Sequence, residues 1–372
     1  MDELHVLLMN ADVYKISFSA FFADLGYQAV VASFPIILVF QFHLPVYIYG
    51  IVESVSYGVG LIFSFLGGAL ADRYGSRRVA IFGNLLITLL SFTGLAQNSL
   101  EAIGLFLSGW FMRNFRSPAR RTMLVQVTTE DERSRAFAIL HSLDFLGGLI
   151  AVVYLSLGLY LRLSFAEILP FTAIPILLSS VFLFLTRPRE GGGGRRSGKV
   201  LGAVALASLL FGISTYSPGF PIITVTQSTS QVYLGTLTYG FFLGSSSGFA
   251  MVLSRVRMRD YLGLTLGYLV TATASAGFIF LFPFREIGLY PMAILLGVGS
   301  ALAETFEPSL VSKVAGQNVG TGMGILSLSR GLGYFVGNSL MGLLYSLSYV
   351  YAYAFASLVA LGSMAIILVV RK

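Results

Sequence analysis

Almost the whole of this chain is a succession of apolar runs of roughly 20 residues or more, the length that crosses a bilayer core, separated by short breaks. In lipid every backbone N–H and C=O must be satisfied by the protein itself, which leaves only helices and closed barrels. Unbroken apolar runs, in place of short alternating segments, select helices. Charged residues make up only 11% of the 372 positions, against about 25% in soluble domains. No stretch remains for a sizeable soluble domain. The predicted fold class is an all-α integral membrane protein with twelve transmembrane helices.

Breaks at Gly, Pro and charge clusters place the spans at 13–40, 46–70, 78–96, 101–123, 135–160, 165–186, 200–225, 231–254, 261–282, 287–311, 321–345 and 348–370. The formal charge of +7 suggests an anionic partner at first sight, but the basic residues gather in every second break and form no continuous face. Arg73, Arg77 and Arg78, then Arg116, Arg120, Arg121, Arg133 and Arg135, then Arg187 to Lys199, then Arg255, Arg257 and Arg259, and last Arg371 and Lys372 mark one side. On the other side stand only Arg162 and Arg285, each with a Glu nearby. Because basic loops stay in the cytoplasm, both termini are expected there, in a multi-pass protein of the plasma membrane that binds lipid and no nucleic acid.

The longest break, Arg187 to Lys199, holds four consecutive glycines and reads as a flexible linker. It separates expected six-helix bundles at 1–186 and 200–372. Repetition supports the seam. Phe34-Pro35-Ile36-Ile37 recurs as Phe220-Pro221-Ile222-Ile223, and the same spacing carries Ile139-Leu140 onto Ile325-Leu326 and Leu146-Gly147 onto Leu332-Gly333. A duplicated bundle inserted twice in the same sense gives this pattern. Pro35 and Pro221 are expected to bend their spans.

Between spans 2 and 3 lies Gly68-Ala-Leu-Ala-Asp72-Arg73-Tyr-Gly75-Ser-Arg77-Arg78, a burst of charge and glycine between two apolar runs. It reads as a tight, water-facing helix–loop–helix hairpin. With this motif, the 6+6 spans and the central linker, the sequence resembles the major facilitator superfamily of secondary transporters over essentially its whole length. The resemblance implies two pseudo-symmetric six-helix bundles and a cytoplasmic gate comprising Gly68, Asp72, Arg73, Gly75, Arg77 and Arg78 of the motif together with Arg113. In that family the acid and bases help latch the gate in the outward-open state. Ser76 stands where a basic residue is frequent. Arg113, like Arg116, occupies a region of span 4 where many members carry a functional arginine. The corresponding loop at Ser254 to Asp260 keeps positive charge without the glycine spacing.

An ionisable side chain inside a span is expensive unless it faces a partner or a cavity, so each is a candidate site. Asp24 lies near mid-depth with Gln28 one turn further on the same face; it is a proton or cation site or a packing acid. His141 and Asp144 share a face of span 5, and the family's layout would bring them close to Asp24 as a proton-coupling cluster. Asp144 falls on Arg330 in the second repeat, where Ser327, Tyr334 and Asn338 extend a polar stripe. Arg330 reads either as a contact for an anionic substrate or as an ion pair with Glu304. Glu304 is the deeper of two acids on span 10, and Glu307, beside Pro308 and near Lys313, reads as solvated. Glu53 in span 2 is ambiguous.

Several activities are excluded. The chain has no cysteine, which removes disulfides, thiolate metal sites and cysteine nucleophiles. Three scattered histidines give no metal constellation. Gly193 to Val200 resembles a phosphate-binding loop but lacks its hydroxyl ligand and preceding strand. The acidic N-terminal residues have no cleavage pattern of a signal peptide. The chain is expected to be no enzyme and to need no cofactor or metal. The expected function is secondary active transport by alternating access, as a monomer, with a small-molecule substrate and protons or another coupling ion. Spare acids at Asp24 and Asp144 suggest proton-coupled export of small organic or amphipathic compounds. The alternatives are uptake of a small polar or anionic solute at Arg330, or a transporter-shaped receptor or lipid-handling protein.

Overall fold

A computed structural model describes residues 10–128, 133–187, 209, 212–253, 258–315 and 319–370. Its helices are α1 (Ala11–Ile36), α2 (Val46–Tyr74), α3 (Ser76–Ile87), α4 (Ser99–Gln126), α5 (Arg133–Tyr160), α6 (Ala173–Phe184), α7 (Gly219–Thr229), α8 (Val232–Leu253), α9 (Asp260–Phe280), α10 (Arg285–Ala315), α11 (Val319–Leu347) and α12 (Tyr349–Val370). Among the described residues there is no strand, and eight helical segments are long and apolar enough to cross a membrane. Most of the linker 187–199, the first residues of span 7, the loop arginines Arg255 and Arg257, and the side chains of Asp72, Lys313 and Ser327 lie outside the described residues.

The two prolines sit differently in their helices. α1 runs unbroken through Pro35 and then widens into a π turn over Ile37–Gln41. Pro221 sits in the first turn of α7, where a missing N–H removes no helical bond. Span 7 is instead interrupted just before α7, at Thr215, Tyr216 and Ser217. The equivalent stretch of α1 holds no glycine or proline, whereas here Pro218 and Gly219 follow the break and weaken helix continuation.

Packing divides the chain into two units, one drawn from Met1–Phe34 and Val59–Gly192, the other from Pro35–Gly58 and Gly193–Lys372. The first unit buries Ile16, Ala80, Ala119, Met123, Leu140 and Leu183 in one core. In the second, Leu264, Tyr268, Ala303 and Phe306 form another. The first half of α2 belongs with α11 because two glycines let the backbones meet. A Cβ built on Gly50 would lie 2.8 Å from Gly342 Cα, too close for any side chain.

The hairpin read from the motif is as tight as a chain allows. Gly75 alone separates α2 from α3, with φ +91°, a conformation open to glycine and strained for other residues. A Cβ there would meet nothing within 4 Å, so conformation and not space demands glycine. Of the two outlying arginines, Arg285 has a local backbone partner. Arg285 Nε donates to Ser228 O at 3.1 Å near the C-terminus of α7.

Candidate functional site

Among the described residues each unit holds a buried ionic cluster. In the first, α4 presents Arg113, Arg116 and Arg120 three to four residues apart on one face. Arg120 Nη2 pairs with Asp144 Oδ2 at 3.2 Å. The Arg113 guanidinium lies 5.0 Å from the Trp110 ring centre and 5.8 Å from that of Tyr27, a cation–π arrangement. Arg116 is fully buried and donates from Nη1 to Asn84 Oδ1 at 2.6 Å. Asn84 Nδ2 in turn donates to Ile176 O at 2.9 Å and Ser180 Oγ at 2.8 Å, which ties α3, α4 and α6 together.

Asp24 is 4% exposed, and Gln28 Nε2 donates to its Oδ2 at 3.2 Å. Asp144, Arg120, Tyr27 and Arg113 are its electrostatic neighbours. α5 approaches α1 closely enough for this, since a Cβ on Gly147 would lie 3.1 Å from Leu25 N. His141 is exposed one turn before Asp144. Three guanidiniums thus surround two carboxylates. Buried polar atoms of this cluster without a hydrogen bond include Arg116 Nε and Nη2, Arg120 Nε and Nη1, Asp24 Oδ1 and Asp144 Oδ1.

Two sequence expectations change here. Asp144 is not a spare acid, because Arg120 takes one of its oxygens. Arg116 and Arg120, counted with the cytoplasmic breaks, are buried inside α4. Their spacing with Arg113 on one helical face was the available signal, and Asn84 gave none.

In the second unit Arg330 reaches Glu304 Oε1 from Nη1 at 2.7 Å and Glu307 Oε2 from Nη2. Burial separates the two acids: the Glu304 side chain is 47% exposed and that of Glu307 4%. Glu307 is therefore a buried ion-pair partner and not a solvated residue. The α10 rotation that turns it inward also brings Tyr268 of α9 into its electrostatic surroundings. Tyr334 stacks on Tyr57 with ring centres 4.8 Å apart. Asn338 is fully buried and accepts at Oδ1 from Ser217 N at 2.8 Å, which satisfies a backbone donor freed by the α7 break.

Beside that break a pocket is lined by Ser214, Thr215, Tyr216, Tyr239, Thr271 and Ser300 among others. None of these residues stood out in the sequence. Pro218-Gly219 within an expected span was the one hint.

At the hairpin, Gly68 lies in α2, and Arg73 and Arg78 are exposed. Arg77 Nη1 donates to Thr186 O at 3.1 Å, beyond the C-terminus of α6. Ser76, the departure from the motif, is buried and donates from Oγ to Gln126 Oε1 at 2.7 Å. Arg113, read with the gate, belongs by its contacts to the α1–α4 cluster.

The sequence profile of the Major Facilitator Superfamily matches residues 16–318. Among solved structures the chain is similar to a point mutant of the nucleoside transporter NupG, with 14% identity, coverage of 96% of this chain and 98% of that one, and a TM-score of 0.76. It is also similar to a POT family transporter in complex with a thioalcohol-conjugated peptide, with 13% identity, 96% of both chains and a TM-score of 0.76. A POT family transporter in complex with 5-aminolevulinic acid aligns at 13% identity over 96% of this chain and 95% of that one, with a TM-score of 0.75. At such identities the likeness concerns the fold. The all-helical architecture and a profile match over most of the chain lead to one conclusion: this multi-pass membrane protein belongs to the major facilitator superfamily.

Proposed function

We propose that the chain is a secondary active transporter of the plasma membrane that moves a small organic solute bearing an anionic group, coupled to protons. Residues 1–186 and 200–372 are the bodies that rock about the solute, joined by the cytoplasmic linker 187–199. The observation that carries the solute class is the charge balance of the first cluster, where Arg113, Arg116 and Arg120 stand against two acids, Asp24 and Asp144. An anion supplies the charge that the cluster lacks. Arg330 is a weaker candidate for this contact because two glutamates already neutralise it.

Asp24 is the acid best suited to the coupling proton, since its hydrogen bond is to the neutral Gln28. Protonating it raises the positive charge around Arg113, so proton and anion reinforce each other's binding, and reciprocity follows from linkage. This favours movement of both in the same direction over the export expected from spare acids. The gate residues Gly68, Asp72, Arg73, Gly75, Arg77 and Arg78 control opening on the cytoplasmic side.

The test is a thermal-shift screen of organic anions and cations in detergent at two pH values, with hits repeated in Asp24→Asn and Arg113→Ala. Anions should stabilise more at the lower pH. Asp24→Asn should remove that pH dependence, and Arg113→Ala the stabilisation itself. Hits confined to cations, or an unchanged pH dependence in Asp24→Asn, sink the reading. Flux in proteoliposomes under an imposed pH gradient then gives the direction.

A further inference from the structure

The first half of α2 places Glu53 in the second unit, 4% exposed. Its neighbours are hydroxyls. The polar side chains beside it are those of Ser217 and Tyr49, and Tyr49 OH and Ser217 Oγ are 2.7 Å apart. Ser217 belongs to the α7 break, and its backbone N–H is held by Asn338 Oδ1 of α11. Three segments therefore meet at one carboxyl: α2, the break and α11. The same seam is closed by Ser339 Oγ donating to Ser54 Oγ at 2.8 Å and by Tyr47 N donating to Ser346 Oγ at 3.0 Å.

The charge balance at this point differs from both ionic clusters. The titratable groups facing Glu53 are Tyr49 of its own helix and, beyond it, Tyr57, itself stacked on Tyr334 of α11. From the α7 break the facing group is Ser217, and behind it from α11 comes Asn338, both neutral. Among the described residues no Lys, Arg or His forms an ion pair with Glu53. An ionised carboxylate here is a buried charge without a counter-charge, whereas a protonated one is a neutral donor among hydroxyl oxygens.

We propose that Glu53 is a proton-binding site that links pH to the packing of α2 against the α7 break and α11. Protonated, the carboxyl completes the hydroxyl network and holds the seam closed. Ionised, it draws in water and loosens the seam. This holds whatever the solute.

The chain lacks cysteine, so Ile51→Cys and Leu347→Cys, at positions 43% and 75% exposed on α2 and α11, accept spin labels without background. Their distance distribution should be narrow in mildly acidic buffer and broaden or lengthen in mildly alkaline buffer. Glu53→Gln should stay narrow in both. The same pH response in Glu53→Gln as in the unsubstituted chain, or a response that follows sodium in place of protons, overturns the proposal. Infrared difference spectroscopy on the intact chain gives a second measurement that needs no Glu53 variant. A protonated-carboxyl band should vanish between the two buffers and shift in Ser217→Ala; a spectrum in which no such band responds to Ser217→Ala also overturns it.

Discussion

The two ionic clusters are built from the same kinds of side chain with opposite balance. In the first unit three arginines of α4 face two aspartates; in the second, one arginine of α11 faces two glutamates of α10. Positions related by the internal repeat carry Asp144 on one side and Arg330 on the other. A duplicated scaffold can thus keep its helix packing while inverting the sign of a buried charge, because each charge is set by its immediate partners. What the comparison teaches is that the basic cluster is the place to look for an anionic ligand and the acidic cluster for a cation or a proton.

The sharpest way to break the comparison is to remove the shared partner of the acidic cluster. Arg330→Ala leaves Glu304 and Glu307 facing each other, and a broken buried pair costs about 3–5 kcal/mol. Thermal unfolding in detergent should show a large loss, mostly recovered when Glu304→Gln and Glu307→Gln are added. In the basic cluster Asn84→Ala should cost less, about 1–3 kcal/mol, by leaving the fully buried Arg116 without its acceptor. A loss as large as that of Arg330→Ala would mean that Arg116 is as dependent on one partner as the glutamates are. Smallest among these is Ser76→Ala at the hairpin, where loss of the hydrogen bond to Gln126 should cost about 1 kcal/mol. An unchanged melting temperature there would show that the motif tolerates any small residue at that position.

The hairpin was the most legible part of the molecule. A glycine flanked by charges between two apolar runs has one physical solution, and Gly75 adopts it at φ +91°. The spans were legible for the same reason, since backbone satisfaction in lipid leaves helices as the only option for continuous apolar runs. Candidate acids and bases could be named individually because a charge inside a span stands out against its neighbours. Their partners could not. Asp144 and Arg120 are 24 residues apart, Arg330 and Glu307 are 23, and no local pattern joins them.

Which acid of α10 is buried depends on helix rotation. Glu304 and Glu307 are three residues apart on one helix, and a small rotation of α10 about its axis exchanges which one is buried. The break before α7 is marked by Pro218-Gly219 and not by Pro221, because a proline in a first turn leaves a helix undisturbed. Glu53 remained ambiguous until Tyr49, Ser217 and Asn338 gathered around it.

The sequence by itself determined the fold class, most of the spans and the hairpin, and singled out Asp24, Glu53, Asp144 and Arg330 as ionisable residues within spans, because hydrophobic length and backbone chemistry act locally. Only the tertiary structure decided which charges neutralise one another, which acid is buried, and that the first half of α2 packs with α11. Those outcomes depend on helix rotation and on contacts between residues far apart in the chain, and in a medium without water a shift of one helical turn exchanges a paired charge for an unpaired one.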